Sequence, residues 1–203
     1  NEKIENTEEY IDYLNKEISK YITNVAVFEK TNSASQMFNS LFMITSNVER
    51  IGDHAMNVMY VAKELHEKKT NFSEEANQEI VVLNEAIFEL LDITVKAFEW
   101  NDPKLAVLVE PLEQTIDKIV YRMKRNHTVR LQLEECTIKL GFAFSDLLTS
   151  YERVADHCSN IAACLIQTGE HDFEMHKYIH KLAKGEDTPF HERYMEYRKQ
   201  YRL

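Results

Sequence analysis

Glycine and proline are scarce in this chain, with four and three residues in 203. Few sites remain for tight turns, so long elements are favoured, and the abundance of Glu, Lys, Leu, Ala and Ile makes those elements helices. Four scattered glycines also exclude a glycine-rich phosphate cradle. Cysteine is limited to Cys136, Cys158 and Cys164, an odd number without Cys-x-x-Cys spacing. That excludes a disulfide framework and a zinc knuckle, and reads as three reduced thiols with Cys158 buried. No run approaches the roughly 18–20 apolar residues that cross a bilayer. The start, Asn-Glu-Lys-Ile-Glu-Asn, is polar and acidic, unlike a signal peptide. It opens without Met and almost at once inside a helical pattern, as an excised piece of a longer protein would. Basic charge is in deficit, and the net charge of −10 argues against nucleic acid. It suits a solvated cytosolic surface, or one that collects cations.

What the chain does contain is an echo. Glu-Arg-Ile-Gly-Asp-His at 49–54 returns as Glu-Arg-Val-Ala-Asp-His at 152–157, an offset of 103. Both copies lie in helical patterns. Helices are expected over about 7–21, 33–68, 74–100, 103–129 and 134–167, with Ser73 as an N-cap and Asn101-Asp102-Pro103 as a break. The second carries Leu41, Ile44, Val48, Ile51, Ala55, Val58, Ala62 and Leu65, alternating steps of three and four as a packing seam does. Shifted by 103, the first seven of those positions land on Phe144, Leu147, Tyr151, Val154, Cys158, Ile161 and Leu165, each able to serve as a core residue. The preceding helices correspond at an offset of 105, Ile11, Leu14 and Ile18 with Ile116, Ile119 and Met123. The expected architecture is all-α, an antiparallel helical bundle with internal duplication. Repeat one covers about 1–70 and repeat two about 74–168, within one domain at 1–168. The first repeat lacks the helix that 79–100 supplies to the second. A helical tail follows at 169–203, with short helices expected at 171–184 and 190–203 around a turn at 185–189.

Each echo places a Glu and an Asp four residues apart, on one helix face. The helix before each echo does the same. Glu8 and Asp12 therefore accompany Glu49 and Asp53, and Glu113 and Asp117 accompany Glu152 and Asp156. Glu and Asp at this spacing are ordinary on a solvated helix; four instances at matched positions of a duplication point to two patches of four carboxylates. Hard oxygen donors so grouped suit iron, manganese, magnesium or calcium. Arg50 and Arg153 follow the glutamates on a different face. His54 and His157 are expected as polar boundary residues ahead of ligands, with Asn57 and Asn160 one turn beyond. Glu-x-x-His, needed for a ferritin-like di-iron site, is absent beside either glutamate, which weighs against a carboxylate-bridged oxidase. His176 and His180 lack the glutamate of a His-Glu-x-x-His motif. No Ser or Cys sits in a recognisable nucleophile setting, so no catalytic residue is expected.

The segments Asn47-Val-Glu-Arg-Ile-Gly-Asp-His-Ala-Met-Asn57-Val and Ser150-Tyr-Glu-Arg-Val-Ala-Asp-His-Cys-Ser-Asn160-Ile resemble the signature of the PhoU family, present twice across about 1–168. The resemblance implies two bundles of long helices and multinuclear metal clusters held by paired E-x-x-x-D motifs. By that likeness the metal residues are Glu8, Asp12, Glu49, Asp53, Glu113, Asp117, Glu152 and Asp156. The expected cofactors are divalent or trivalent metal ions, iron clusters among them. The signature's leading Asp is Asn47 in one half and Ser150 in the other, so any ligand it supplied is missing. The tail, Phe190-His-Glu-Arg-Tyr-Met-Glu-Tyr-Arg-Lys-Gln-Tyr-Arg-Leu203, looks like the end of PhoU-like domains attached to bacterial sodium/phosphate cotransporters. The expected function is regulatory and non-catalytic control of phosphate uptake at the cytoplasmic face of the membrane. The expected partner is a membrane phosphate transporter in the same full-length chain, with room for a homodimer. The alternative is a free-standing regulator of an ATP-driven phosphate transporter and its sensor kinase.

Overall fold

The computed structural model describes residues 2–29, 31–169 and 188–203. The described residues are helical throughout, with short connections. In order they form α1 (Glu2–Ala26), α2 (Asn32–Lys68), α3 (Glu74–Glu99), α4 (Pro103–Ala106), α5 (Val109–Gln132), α6 (Ile138–Gly169) and α7 (Thr188–Gln200). None of these helices is long and apolar enough to cross a membrane. The expected helix at 171–184, with His176 and His180, lies outside the described residues. The tail helix begins two residues before the expected position, at Thr188.

Several helix ends follow from the residues present. Thr31 caps α2, its hydroxyl accepting from the Ala34 amide at 3.2 Å, and Ser73 caps α3 through the Ala76 amide at 3.2 Å. Asp102 caps α4 by accepting from the Lys104 amide at 2.8 Å. The single helix expected from 103 onward is broken. The α4 turn ends at Ala106 and α5 restarts at Val109, where Pro111 is tolerated because the first turn needs no donor from it. With glycine scarce, the C-terminal closures use other residues. Lys69, Asn101 and Glu134 take positive φ of 50°, 48° and 59°. Behind each, paired amides reach back over the last turn: Thr70 to Leu65, Asp102 to Ala97 and Glu135 to Arg130.

α1 lies along α2, α2 along α6, and α6 against α5; α3 covers both α5 and α6, and α7 rests on α5. The main core is the seam of α3, α5 and α6, where Leu83, Leu90, Leu112, Ile116, Met123 and Phe144 are fully buried. Truncating such side chains typically costs about 2–5 kcal/mol. Glu79 of α3 and Arg130 of α5 form a buried ion pair at 2.9 Å. Asn126 donates to the other carboxylate oxygen at 2.6 Å, and the guanidinium stands 5.5 Å from the Phe144 ring.

The two hairpins related by the sequence offsets differ in burial. In α6 the seam residues Phe144, Leu147, Val154, Cys158, Ile161 and Leu165 are buried and Tyr151 is half-buried. In α2 the expected seam is less well covered: Ile44 is buried, Leu41, Ile51, Val58 and Leu65 are half-buried, and Val48 at 43%, Ala55 and Ala62 are exposed. The periodicity is equal; the covering helix is not. α3 closes the α5–α6 pair, and no described helix plays that part for α1–α2. Ile22 is the single buried residue of α1.

Candidate metal centre

The amphipathic register of α5 places Glu113 and Asp117 beside Leu112 and Ile116, so burying the apolar stripe carries Glu113 inward. α6 supplies Asp156 from the facing helix. One carboxylate oxygen from each of Glu113, Asp117 and Asp156 lies within 4.8 Å of the others. Burial, reinforced by Glu110, Asp117, Asp156 and Glu152, pushes the Glu113 carboxyl up to about 9. Burial also raises Asp117, with Glu152 and Asp156 adding to it. One Asp117 oxygen, Oδ1, is shielded from solvent and has no hydrogen-bond partner. A buried acceptor without a donor is costly, and a cation is one way to satisfy it.

Basic neighbours neutralise part of this patch. Glu152 turns to Lys124 Nζ at 2.6 Å. Arg153, expected on another face, reaches one turn along to Asp156 at 3.1 Å. Glu110 belongs to the group as well, and sequence reasoning missed it. Its oxygens accept from Ser159 Oγ at 2.6 Å and Gln114 Nε2 at 3.2 Å, and its charge is the largest after burial in raising Glu113. The signal was available: Glu110 precedes Glu113 by one turn, and the 105-residue offset pairs it with Glu5.

In the first half, Glu8 and Asp12 of α1 face Glu49 and Asp53 of α2. Partial burial and then Asp12 and Asp53 raise Glu8; burial and then Asp53 and Asp12 raise Glu49, with Arg50 opposing. These four carboxylates therefore sense one another, yet among the described residues they do not close to the spacing of the other half. The approach of α1 runs over Gly52, whose α-carbon faces Ile11 and Glu8. A Cβ there would sit 3.5 Å from Ile11 Cδ1 and 3.9 Å from Glu8 Cγ. The corresponding residue of α6 is Ala155, fully buried.

Between the two patches the imidazoles of His54 and His157 stack, ring centroids 5.6 Å apart, where α2 meets α6. Asn47 is buried and joins the two helices. It donates to the Met43 carbonyl at 2.6 Å, while its Oδ1 accepts from His157 Nδ1 at 2.8 Å and Asn160 Nδ2 at 3.3 Å. The offset makes Ser150 and His54 the mates of Asn47 and His157. Ser150 donates instead to the Asp146 carbonyl at 3.0 Å, and His54 Nδ1 is buried without a partner. Desolvation lowers both imidazoles, and each is further disfavoured as a cation by Arg50 and Arg153. Cys158 is buried below, its thiol pushed up to about 12 by burial, which makes it unreactive.

This chain matches the PhoU domain family over residues 1–62 and 80–165. A "Phosphate-specific transport system accessory protein PhoU homolog 1" of Thermotoga maritima is 23% identical over 189 residues, covering 92% of this chain and 81% of the relative. A homologue similarly named, from Aquifex aeolicus, is 26% identical over 186 residues, covering 91% and 82%. In three dimensions the chain resembles the crystal structure of PhoU from Pseudomonas aeruginosa, with a TM-score of 0.77, 21% identity, and 83% and 80% of the two chains covered. The phosphate transport system regulatory protein PhoU from Streptococcus pneumoniae gives 0.73 at 19% identity, covering 85% and 80%. At these identities the structural likeness speaks for the fold.

Proposed function

The chain belongs to the PhoU domain family, and from that premise we propose that it is a regulatory, non-catalytic accessory protein of phosphate uptake. Its partner is a membrane phosphate transporter, met at the cytoplasmic face. The matched relatives are named as accessory proteins of phosphate-specific transport systems. They favour a regulator acting on a separate transporter over a domain carried in the same chain as a sodium/phosphate cotransporter.

The observation that carries a metal-dependent form of this role is the close group of Glu113, Asp117 and Asp156, with Glu113 buried and one Asp117 oxygen shielded and unpartnered. Three carboxylates from two helices fit a hard cation such as magnesium, manganese or iron. When bound, the cation supplies positive charge that lets these carboxylates remain ionised side by side. The chain's own contribution is positional. α5 and α6 hold the donors together, Lys124 fixes Glu152, and Arg153 orients Asp156. Glu8, Asp12, Glu49 and Asp53 form a second and more open patch, suited to weaker cation binding.

The test is genetic and chemical together. Deleting the gene in its host should raise uptake of radiolabelled phosphate in phosphate-rich medium. The intact chain should restore control, and a folded Asp117→Ala/Asp156→Ala variant should restore it poorly. The same variant, purified without chelator, should lose metal from the second half, and Glu49→Ala/Asp53→Ala from the first. Unaltered uptake in the deletion strain would refute the regulatory role; unaltered metal content in both variants would refute the assigned ligands.

A further inference from the structure

The chain is acidic, yet one groove is not. Between α5 and α7 runs an open cavity of about 960 Å³. That is the upper end of small-molecule sites, which span roughly 300–1,000 Å³. Lys118 and Arg122 line one wall, and Arg198, Lys199 and Arg202 the other. The side-chain carboxylates in it are Glu192 and Glu196, and Glu196 already pairs with Arg193 at 2.9 Å. Among the described residues, Lys118, Arg122, Lys199 and Arg202 have no carboxylate within ion-pair distance.

Five cations gathered in a protein of net charge −10 oppose the general balance of its surface. Their mutual repulsion favours an anion in the groove, because low-dielectric walls concentrate the field there. The charges are spread along both walls. Lys118 and Arg122 are one helical turn apart on α5, while Arg198 and Lys199 close the last turn of α7 and Arg202 follows just beyond it, so the positive potential runs along α5 and past the end of α7. A linear anion with several charges matches that pattern better than a compact one does. Guanidinium forks on facing walls suit phosphoryl oxygens. A nucleic-acid polymer does not fit, since beyond the groove it would meet acidic surface.

The floor differs from the rims. Buried Ile119 and Tyr201 form it, with Met195 half exposed beside them. Such a floor receives a planar apolar body, over which an arginine can stack. The α7 wall is held before any ligand arrives. Tyr201 donates its hydroxyl to Glu89 of α3, and Gln200 donates to the same carboxylate at 3.0 Å. We propose that this groove binds a nucleoside polyphosphate, its oligophosphate chain between the cations of the two walls and its base on the apolar floor.

Calorimetric titration of the full chain with ATP, in EDTA and about 0.15 M salt, where the Debye length is near 8 Å, tests this. ATP should bind at least tenfold more tightly than AMP, and more tightly than tripolyphosphate. Arg122→Glu/Lys199→Glu should weaken ATP at least tenfold with an unchanged circular dichroism spectrum, while Lys63→Glu on α2 should leave it unaltered. If the double variant does not fold, Arg122→Gln alone should weaken ATP severalfold. The proposal is overturned if ATP does not bind, or if the folded charge variants bind it as the parent does. Tripolyphosphate binding as tightly as ATP would remove the nucleoside from the assignment. Absent ATP binding, with binding to phosphatidylglycerol vesicles that the same variants abolish, would make the groove a membrane contact instead.

Discussion

Replacing Glu113 by Gln in metal-free protein should stabilise it, increasingly so as pH rises. The folded carboxyl titrates at about 9 against an ordinary value of 4.5, because it is buried among other acids. A raised folded-state value means the native state holds a proton that the unfolded chain releases. The resulting stability is fully present below pH 4.5 and is lost as pH climbs through 9. Each unit is worth about 1.36 kcal/mol. The loss is therefore about 3 kcal/mol at pH 7 and approaches about 6 kcal/mol above pH 9. Glutamine keeps the shape and has nothing to release. In EDTA, Glu113→Gln should match the parent near pH 4.5 and exceed its Tm by about 6–12 °C at pH 7, at about 2–4 °C per kcal/mol for a chain of this size. Thermal melts across pH 4.5–9 measure it. With a divalent cation added the order should invert, because the parent then gains binding energy that the variant has given up. Parallel pH profiles for the two proteins would refute the picture of Glu113 as a carboxyl forced neutral by its site.

Two further outcomes follow from particular contacts. Gly52→Ala should stabilise by about 0.5–1 kcal/mol, the usual gain for removing a mid-helix glycine, because the new methyl would meet Ile11 at 3.5 Å, an ordinary contact distance. A lowered urea midpoint would contradict it. Arg130→Met should cost about 3–5 kcal/mol by leaving Glu79 buried without its counter-charge; the double variant with Glu79→Met should recover most of that loss, and a double-mutant cycle without coupling would count against the pair.

The helices were legible because heptad-like periodicity and a few cap residues encode them locally. Ser73 announces its role in the sequence and caps α3 as expected; Asn101-Asp102-Pro103 announces a break, and the structure adds that Asp102 caps the turn after it. The break at 107–108 was legible but overlooked: Pro111 has no amide hydrogen to give the Val107 carbonyl and its ring would crowd it, so a helix cannot run unbroken through that point. Burial was legible only in part. Identical periodicity in α2 and α6 predicts equal seams, but exposure of Val48 and Ala55 depends on which helix lies opposite, and periodicity cannot see that. In the carboxylate groups, i, i+4 spacing located Glu113, Asp117 and Asp156. It could not show that Lys124, 28 residues away, would occupy Glu152, or that Asn47, read as the loss of a ligand, would become the buried link between α2 and α6.

The unequal covering of the two hairpins has a dynamic consequence. With Ile22 its one buried side chain, α1 can detach as a local opening that leaves the α3–α5–α6 core intact, whereas α5 can leave only by dissolving that core. Amide exchange should therefore divide the molecule, with α1 exchanging through small openings and α5 through global ones. Glu8 and Asp12 ride on the labile segment, so their patch is a reversible junction; Glu113 and Asp117 ride on the permanent one. Among the described residues, the duplicated sequence thus gives one lightly held copy and one closely packed copy, and an opening of the first need not unfold the second.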